Sequence, residues 1–347
     1  MSSYNINLDD WYADAVDLKA QGMSNRGIAR TLFSNENLRN RLNTFFQQEE
    51  VIEDVYKRKS FYKEDSDVVL ATTGIVRKET AEVNTVWECK KTPPIVVTKT
   101  NPTILVIADT QAKSEENLEY LLWIGHYIAE KQPDIIVHIG DHYDFPSLSS
   151  YDKGKSSSEG RRLYKDIEAG NTGFEYLNMA MKDIPDYNPR KVFCLGNHEH
   201  RLSRYVDDNP ELIGTLGVDK LPFEKYGWEV HPFLKPVEIE GIYFVHYLAN
   251  PFTGKPYSGS AANILSKVGK SFVVGHKQTL DISIRPTIDG SLQLGIVNGA
   301  CYDFDEGYKG YQGNHHFRGL TVLHECSNGF ACPSFVSLDY MKELYYR

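Results

Sequence analysis

Asp109, Asp141, Asn197, His246 and His276 each stand at the end of a short apolar run: TILVIAD, IIVHIGD, KVFCLGN, IYFVH and SFVVGH. Carboxylate, imidazole and amide oxygen are side-chain groups that hold divalent cations. A lone Asp or His at a strand end is more often a cap or a hydrogen-bonded loop residue, but five such ends converging on one place reverse that reading. Two divalent cations roughly 3.5–4 Å apart lower the pKa of a shared water and clamp phosphoryl oxygens, which is what hydrolysis of a phosphate ester needs. Asp141, which follows a glycine, suits a bridge between two ions. Asp109 then serves one ion, and Asn197, His246 and His276 the other. His198, one position past Asn197, points elsewhere and is free to act on the substrate. His142, His200, Arg201 and Lys277 flank these positions and are candidate substrate-binding residues, able to hydrogen-bond a phosphate.

For these ends to meet, the runs must lie side by side. Near-continuous Val, Ile, Leu and Phe runs of this length read as strands buried on both faces. In open α/β sheets ligands gather at the carboxyl ends of the strands, where all these polar residues fall. SEENLEYLLWIGHYIAEK predicts an amphipathic helix, with Leu118, Leu121, Leu122, Ile128 and Ala129 on one side and Glu115 and Glu116 at its N-terminal dipole. That makes a strand-helix-strand unit. Other histidines read as structural. His138 sits inside an apolar run and His126 on the helix, and the adjacent His315 and His316 would face opposite ways on a strand, as structural or substrate-facing residues. The stretch 151–162 reads as a surface loop, and the aromatic FVSLDYMKELYY near the C-terminus suits either the core or a partner chain.

Taken in order, D-x-Q, GDHYD, GNHEH, a strand-end His and GHKQ resemble the series D-x-H, GD, GNH[ED], H and GH-x-H of calcineurin-like metallophosphoesterases, over about 102–330. The resemblance is closer to phage and bacterial members in which a helix-turn-helix-like segment precedes the catalytic domain; in them GD is followed by D-F, as in Asp144-Phe145, and GNHE by Arg, as in Arg201. It implies an α/β fold, a two-sheet sandwich flanked by helices, with manganese or a similar ion and hydrolysis of phosphate mono- or diesters. It also implies that Gln111 and Gln278 stand where the family has histidines on one metal, and that His198 is the catalytic proton donor or transition-state stabiliser. An amide oxygen is a neutral, hard ligand, so that position should favour Mn²⁺ or Mg²⁺ over Zn²⁺ and bind weakly. Two divalent ions, with Mn²⁺ the first choice and one site weak, are therefore expected. The alternative is a DNA-associated binding or regulatory protein whose phosphoesterase domain is degenerate and non-catalytic.

Composition narrows the rest. The chain has 347 residues, 41% of them hydrophobic and 24% charged, as in a soluble globular protein. A net charge of −9 gives no long-range pull on polyanions, so contact with nucleic acid, a candidate substrate, has to be local. Five scattered cysteines without a C-x-x-C pair argue against a disulfide framework. No P-loop or G-x-S-x-G motif is present, which removes those nucleotide-binding and serine-hydrolase readings. Without a signal peptide or a long apolar run, the expected place is the cytoplasm, that of the host if the gene is phage-borne, with no membrane contact. Residues 1–50 predict a helical, helix-turn-helix-like segment bearing Arg26, Arg30, Arg39 and Arg41; 51–101 a connector; and 102–347 the phosphoesterase domain.

Overall fold

In a computed structural model of the chain, residues 100–347 are described, apart from 151–153, 155–157 and 183. The expected helices of 9–48, their arginines and the connector up to residue 99 lie outside the described residues, as does half of the predicted loop at 151–162.

The apolar runs alternate in the direction they face, and this builds three apolar cores between four layers, two sheets with helices outside each. In β1 (Ile104–Ile107), Ile104 and Val106 turn to one side and Leu105 and Ile107 to the other, all fully buried. β2 (Ile135–His138) and β3 (Arg190–Cys194) run parallel beside β1, and β4 (Trp228–His231) follows β3. β10 (Gly319–Ser327) and β11 (Phe330–Ser337) add antiparallel strands on the far side of β1, giving the order β11-β10-β1-β2-β3-β4. The second sheet has the order β5-β6-β7-β9-β8. Its strands are β5 (Val237–Ile239), β6 (Ile242–Val245), β7 (Phe272–Val274), β8 (Asp281–Pro286) and β9 (Leu292–Val297).

Between the sheets lie Ile104, Val106, Val137 and Val192 from one side and Phe244, Val273, Leu294 and Ile296 from the other. The outer face of the six-stranded sheet packs Leu105, Ile136 and Phe193 against α1 (Glu119–Lys131), α2 (Leu163–Met179) and α5 (Leu338–Tyr345). The outer face of the five-stranded sheet packs Phe272, Val274 and Val297 against α4 (Ala261–Val268). Each fully buried aliphatic or aromatic side chain stabilises by roughly 1.5–3 kcal/mol, which is why these runs cannot be loops. The two-sheet sandwich with flanking helices is the fold the sequence implied.

Two details differ from expectation. α1 begins at Glu119 rather than near Ser114, because Asn117 Oδ1 accepts the Glu119 N–H at 3.0 Å and holds the preceding residues in a turn. Glu119, not Glu115 or Glu116, is the acidic residue of its first turn. In the C-terminal stretch Leu338 and Met341 of α5 are buried in the core, while Tyr340 and Tyr346 are exposed. Among the described residues no helix is long and apolar enough to cross a membrane.

Candidate metal centre

The expected residues converge at the carboxyl ends of β1, β2, β6 and β7 and at the start of α3 (Asn197–Asp208), which follows β3. Chain ends are stitched to one another first: Asp109 N–H donates to the Gly140 carbonyl at 3.1 Å and Gln111 N–H to the Asp141 carbonyl at 2.9 Å. Two motif glycines allow the side chains to close in. A Cβ at Gly196 would lie 2.1 Å from Asp141 Oδ1, and one at Gly275 would lie 2.6 Å from Asp109 Oδ2.

Glu199 holds the framework from beneath. It is fully buried, and its Oε1 accepts the N–H groups of His142 at 2.7 Å and Tyr143 at 2.9 Å. Its Oε2 accepts those of Asp141 at 2.9 Å and Gly196 at 2.8 Å. One carboxylate thus locks the GDHY loop to the first turn of α3 while capping that helix. Burial and the nearby Asp141 push its pKa up, and the donors oppose that.

Asp141, His246 and His276 each offer a ligand atom, and these atoms lie within 4.8 Å of one another. Asp141 Oδ2 is 3.2 Å from His246 Nε2, and Oδ1 accepts the His198 N–H at 2.9 Å. His246 Nδ1 is 2.9 Å from the Ile139 carbonyl, to which it donates, so Nε2 faces the centre, 2.9 Å from Asn197 Oδ1. A ring nitrogen tied to a backbone carbonyl is the arrangement that orients a metal-binding imidazole. Burial opposes ionisation of Asp141, yet the His198 and His246 imidazoles hold its carboxyl well below the usual range. Burial would lower His246, but Asp141 lifts it to about 9, and burial together with His246 pushes His276 down to about 4.

Asp109 lies on the other side of the centre. Its Oδ2 accepts the His276 N–H at 2.9 Å, and Gln278 Nε2 approaches Oδ1 at 3.4 Å. Burial and the Asp141 carboxylate raise it to about 6 against the lowering effect of His246. Gln111 is buried, and its Oε1 has no partner among the described residues. A buried amide oxygen without a partner, on a residue whose backbone is bonded to Asp141, fits a hard cation. The donor set of Asp141, Asn197, His246 and His276 fits a second, better provided one. Gln278 Oε1 is already engaged, accepting from Tyr302 Oη at 3.0 Å, which in turn accepts from Lys309 Nζ at 2.7 Å.

The backbone is bent to the same end. Asp109, Gln111, Asp141, His276 and Gln278, five of the seven candidate metal residues, have φ between 43° and 67°. Side-chain-bearing residues in this left-handed region cost of order 1–3 kcal/mol each and persist where the surroundings over-determine them.

His198 faces the centre from α3. Its Nδ1 lies 2.8 Å from Asp144 Oδ1, and its Nε2 lies 3.6 Å from Asp141 Oδ2 and 2.8 Å from Arg201 Nη2. Burial would lower its pKa, but Asp141 and Asp144 raise it. Because a guanidinium can only donate, Nε2 accepts in this geometry and the ring proton sits on Nδ1, where Asp144 is close enough for an ion pair but not aligned for a hydrogen bond. Arg201 also donates to the Asp144 carbonyl at 2.8 Å.

The remaining candidates divide. His200 stacks on Phe233 at 4.8 Å between ring centroids, half-buried, and Lys277 turns its ammonium onto the Gly259 carbonyl. His142 departs from the substrate-facing position expected of it. It is fully buried, with Nε2 2.9 Å from the Gly170 carbonyl and Nδ1 2.8 Å from Thr110 Oγ1, so both nitrogens are engaged inside the fold. Thr110 Oγ1 continues to His138 Nε2 at 3.1 Å, which makes His138 the satisfied core histidine expected. His316 packs its ring on Tyr302 and His315 on Tyr311. Sequence reasoning missed Glu199 as a framework residue, although a glutamate at the third position of a helix is a capping signal. Asp144 was noticed only as part of a motif, and Tyr302 and Lys309 carried no signal at all.

The profile of calcineurin-like phosphoesterases matches residues 102–291, more than half of the chain. The gene 54 protein of Mycobacterium phage D29 is 29% identical over 178 residues, 50% of this chain and 68% of that protein. Among solved structures, an archaeal phosphodiesterase overlaps at 13% identity with a TM-score of 0.32, over 67% of this chain and 99% of the other. The E. coli phosphoesterase YfcE overlaps at 13% identity and a TM-score of 0.31, over 68% of this chain and 99% of the other.

Proposed function

Because the chain belongs to the calcineurin-like phosphoesterase family and is a phosphate-ester hydrolase, we propose that its active centre is the cluster around Asp141 and that it works with two divalent cations. The observation that carries this reading is the buried meeting of Asp141, His246 and His276, with ligand atoms within 4.8 Å of one another. Asp141, Asn197, His246 and His276 would hold the stronger ion; Asp109 and Gln111, with Asp141 shared, would hold the weaker, joined by Gln278 once its amide turns to bring Oε1 toward Asp109. Hard oxygen donors at the weaker position favour Mn²⁺, with Mg²⁺ also suited. When bound, such ions supply a water of lowered pKa and neutralise charge on phosphoryl oxygens.

The protein's own residues do the rest. Asp144 positions His198 and stabilises positive charge on it, so that Nε2, once free to take up a proton from solvent, can deliver it to the departing oxygen. Arg201 occupies Nε2 without substrate; a phosphoryl group accepts from a guanidinium more strongly than a neutral imidazole does, so substrate draws Arg201 away and frees the nitrogen. His200 and Lys277 flank the centre as further phosphate-binding candidates. The substrate is a phosphate mono- or diester, with nucleic acid among the diesters. Phage relatives make the cytoplasm of an infected host the expected setting.

The test is hydrolysis of p-nitrophenyl phosphate and bis-p-nitrophenyl phosphate by metal-stripped protein titrated with Mn²⁺, Mg²⁺ or Zn²⁺, beside an Asp141→Asn control. Manganese-dependent turnover lost in the control is expected, and the preferred ester separates phosphatase from diesterase. Tight binding of an ion without turnover on either ester would refute the catalytic reading and favour a binding role.

A further inference from the structure

The outer edge of the five-stranded sheet is β8, and its sequence DISIR is self-complementary when read against itself in the antiparallel sense. Ile282 and Ile284 stand opposite Ile296 and Leu294 of β9, on the face that forms the inter-sheet core. They extend that apolar face past its cover, exposed to 39% and 49%. Asp281, Ser283 and Arg285 occupy the other face. An edge is guarded against association by charges, by proline or by a bulge. Here the two charges are of opposite sign and lie on the face away from Ile282 and Ile284, the one proline, Pro286, closes the strand at its hairpin end, and the register from Asp281–Val297 to Pro286–Leu292 runs without a shift.

Backbone phase decides which groups are offered. Thr287 N–H donates to the Ser291 carbonyl at 2.9 Å, so this is a hydrogen-bonded pair of the hairpin. Alternation along the ladder then aims the N–H and C=O of Asp281, Ser283 and Arg285 at β9, and those of Ile282 and Ile284 outward. Among the described residues no strand receives them.

We propose that β8 is a dimer edge, at which two copies of the chain pair antiparallel about a two-fold axis through Ser283. In that register Ile282 of each copy meets Ile284 of the other as a hydrogen-bonded pair, and the outward groups make four backbone bonds between chains. Asp281 falls opposite Arg285 of the other copy, twice, on one face. On the other face the four isoleucines form a continuous row. Neighbouring registers lose these matches: centring on Arg285 opposes like charges, and centring on Ile284 sets Pro286, which has no N–H, into the ladder. Within the chain, Asp281 Oδ2 accepts the Ala261 N–H and Arg285 Nη2 donates to Gln293 Oε1. Asp281 Oδ1 and the other guanidinium N–H groups are left for the partner copy. The isologous geometry is that of most homodimers.

Light scattering during size exclusion of the full chain, across a dilution series, tests this. The wild type should elute near twice the 39.5 kDa chain mass, and Arg285→Asp, which sets carboxylate against carboxylate at both crossings, near the single-chain mass with unchanged circular dichroism. A non-hydrogen-bonded antiparallel pair has Cα atoms about 4.5 Å apart, within disulfide reach. Ser283→Cys should therefore form a reductant-sensitive covalent dimer on mild oxidation, while Ile288→Cys at the hairpin tip and the wild type do not. A wild type of single-chain mass at every dilution would overturn the proposal. So would a dimer that survives Arg285→Asp while Ser283→Cys fails to cross-link.

Discussion

Glu199→Gln keeps the shape of the side chain and removes one acceptor oxygen from a site where four backbone N–H groups converge. The carboxylate divides them evenly, His142 and Tyr143 on Oε1 and Asp141 and Gly196 on Oε2, at 2.7 to 2.9 Å. An amide oxygen can keep one pair, but the amide nitrogen then presents its own hydrogens to the other two donors. Hydrogen bonds to a charged group contribute about 1.5–3 kcal/mol each, so losing two costs ~3–6 kcal/mol before any donor repulsion is counted. Set against a total folding stability of about 5–15 kcal/mol, that is a large fraction. Urea unfolding at neutral pH should show the loss as a lower midpoint with an unchanged slope. The same substitution loosens Asp141 and His198 together, so Mn²⁺ affinity by calorimetry should fall by about 10–100-fold. A variant within ~1 kcal/mol of wild type would refute the reasoning, because four buried donors would then have no need of a carboxylate.

Asp144→Asn should lower kcat by about 10²–10⁴-fold with KM little changed, since it removes the charge that orients His198; a drop of less than tenfold would count against the dyad. Mn²⁺ added to stripped protein should raise the melting temperature, by relieving the repulsion between buried Asp109 and Asp141, with about 2.7 kcal/mol of stabilisation at a hundredfold excess over Kd; Asp141→Asn should abolish the shift. Burial would raise the Glu229 carboxyl, but His231 and Arg190 outweigh it and hold it below its ordinary value. A depressed folded pKa gives stabilisation that is present above the unfolded value and lost as pH falls through the folded one. Arg190→Met should therefore cost up to about 1 kcal/mol at neutral pH and nothing in strong acid, read from unfolding midpoints at the two pH values.

Five strands of the sandwich were legible because their residues are buried on both faces, and no other context makes ILVI or FVV stable. β8 and β11 were not, since one face of each meets solvent and the alternation, as in DISIRP, dilutes the apolar signal. The meeting of Asp109, Asp141, Asn197, His246 and His276 was readable from where their strands end. His142 was misjudged because sequence adjacency to Asp141 says nothing of direction: the left-handed turn at Asp141, φ 54°, swings the next side chain inward to Thr110 and Gly170. Tyr302 and Lys309 come from a connection far along the chain, whose path only packing decides.

The left-handed backbone at Asp109, Gln111, Asp141, His276 and Gln278 sets fold and site at odds. Glycine or asparagine adopts that conformation more readily than glutamine or histidine, so substitutions at Gln111 or Gln278 can relax the main chain while discarding the side chains that face the centre. A laboratory population selected for heat resistance alone would accumulate changes here early and emerge sturdier and inert. One selected on turnover would keep the strained residues and gain its robustness elsewhere, in the sandwich core and along the helices.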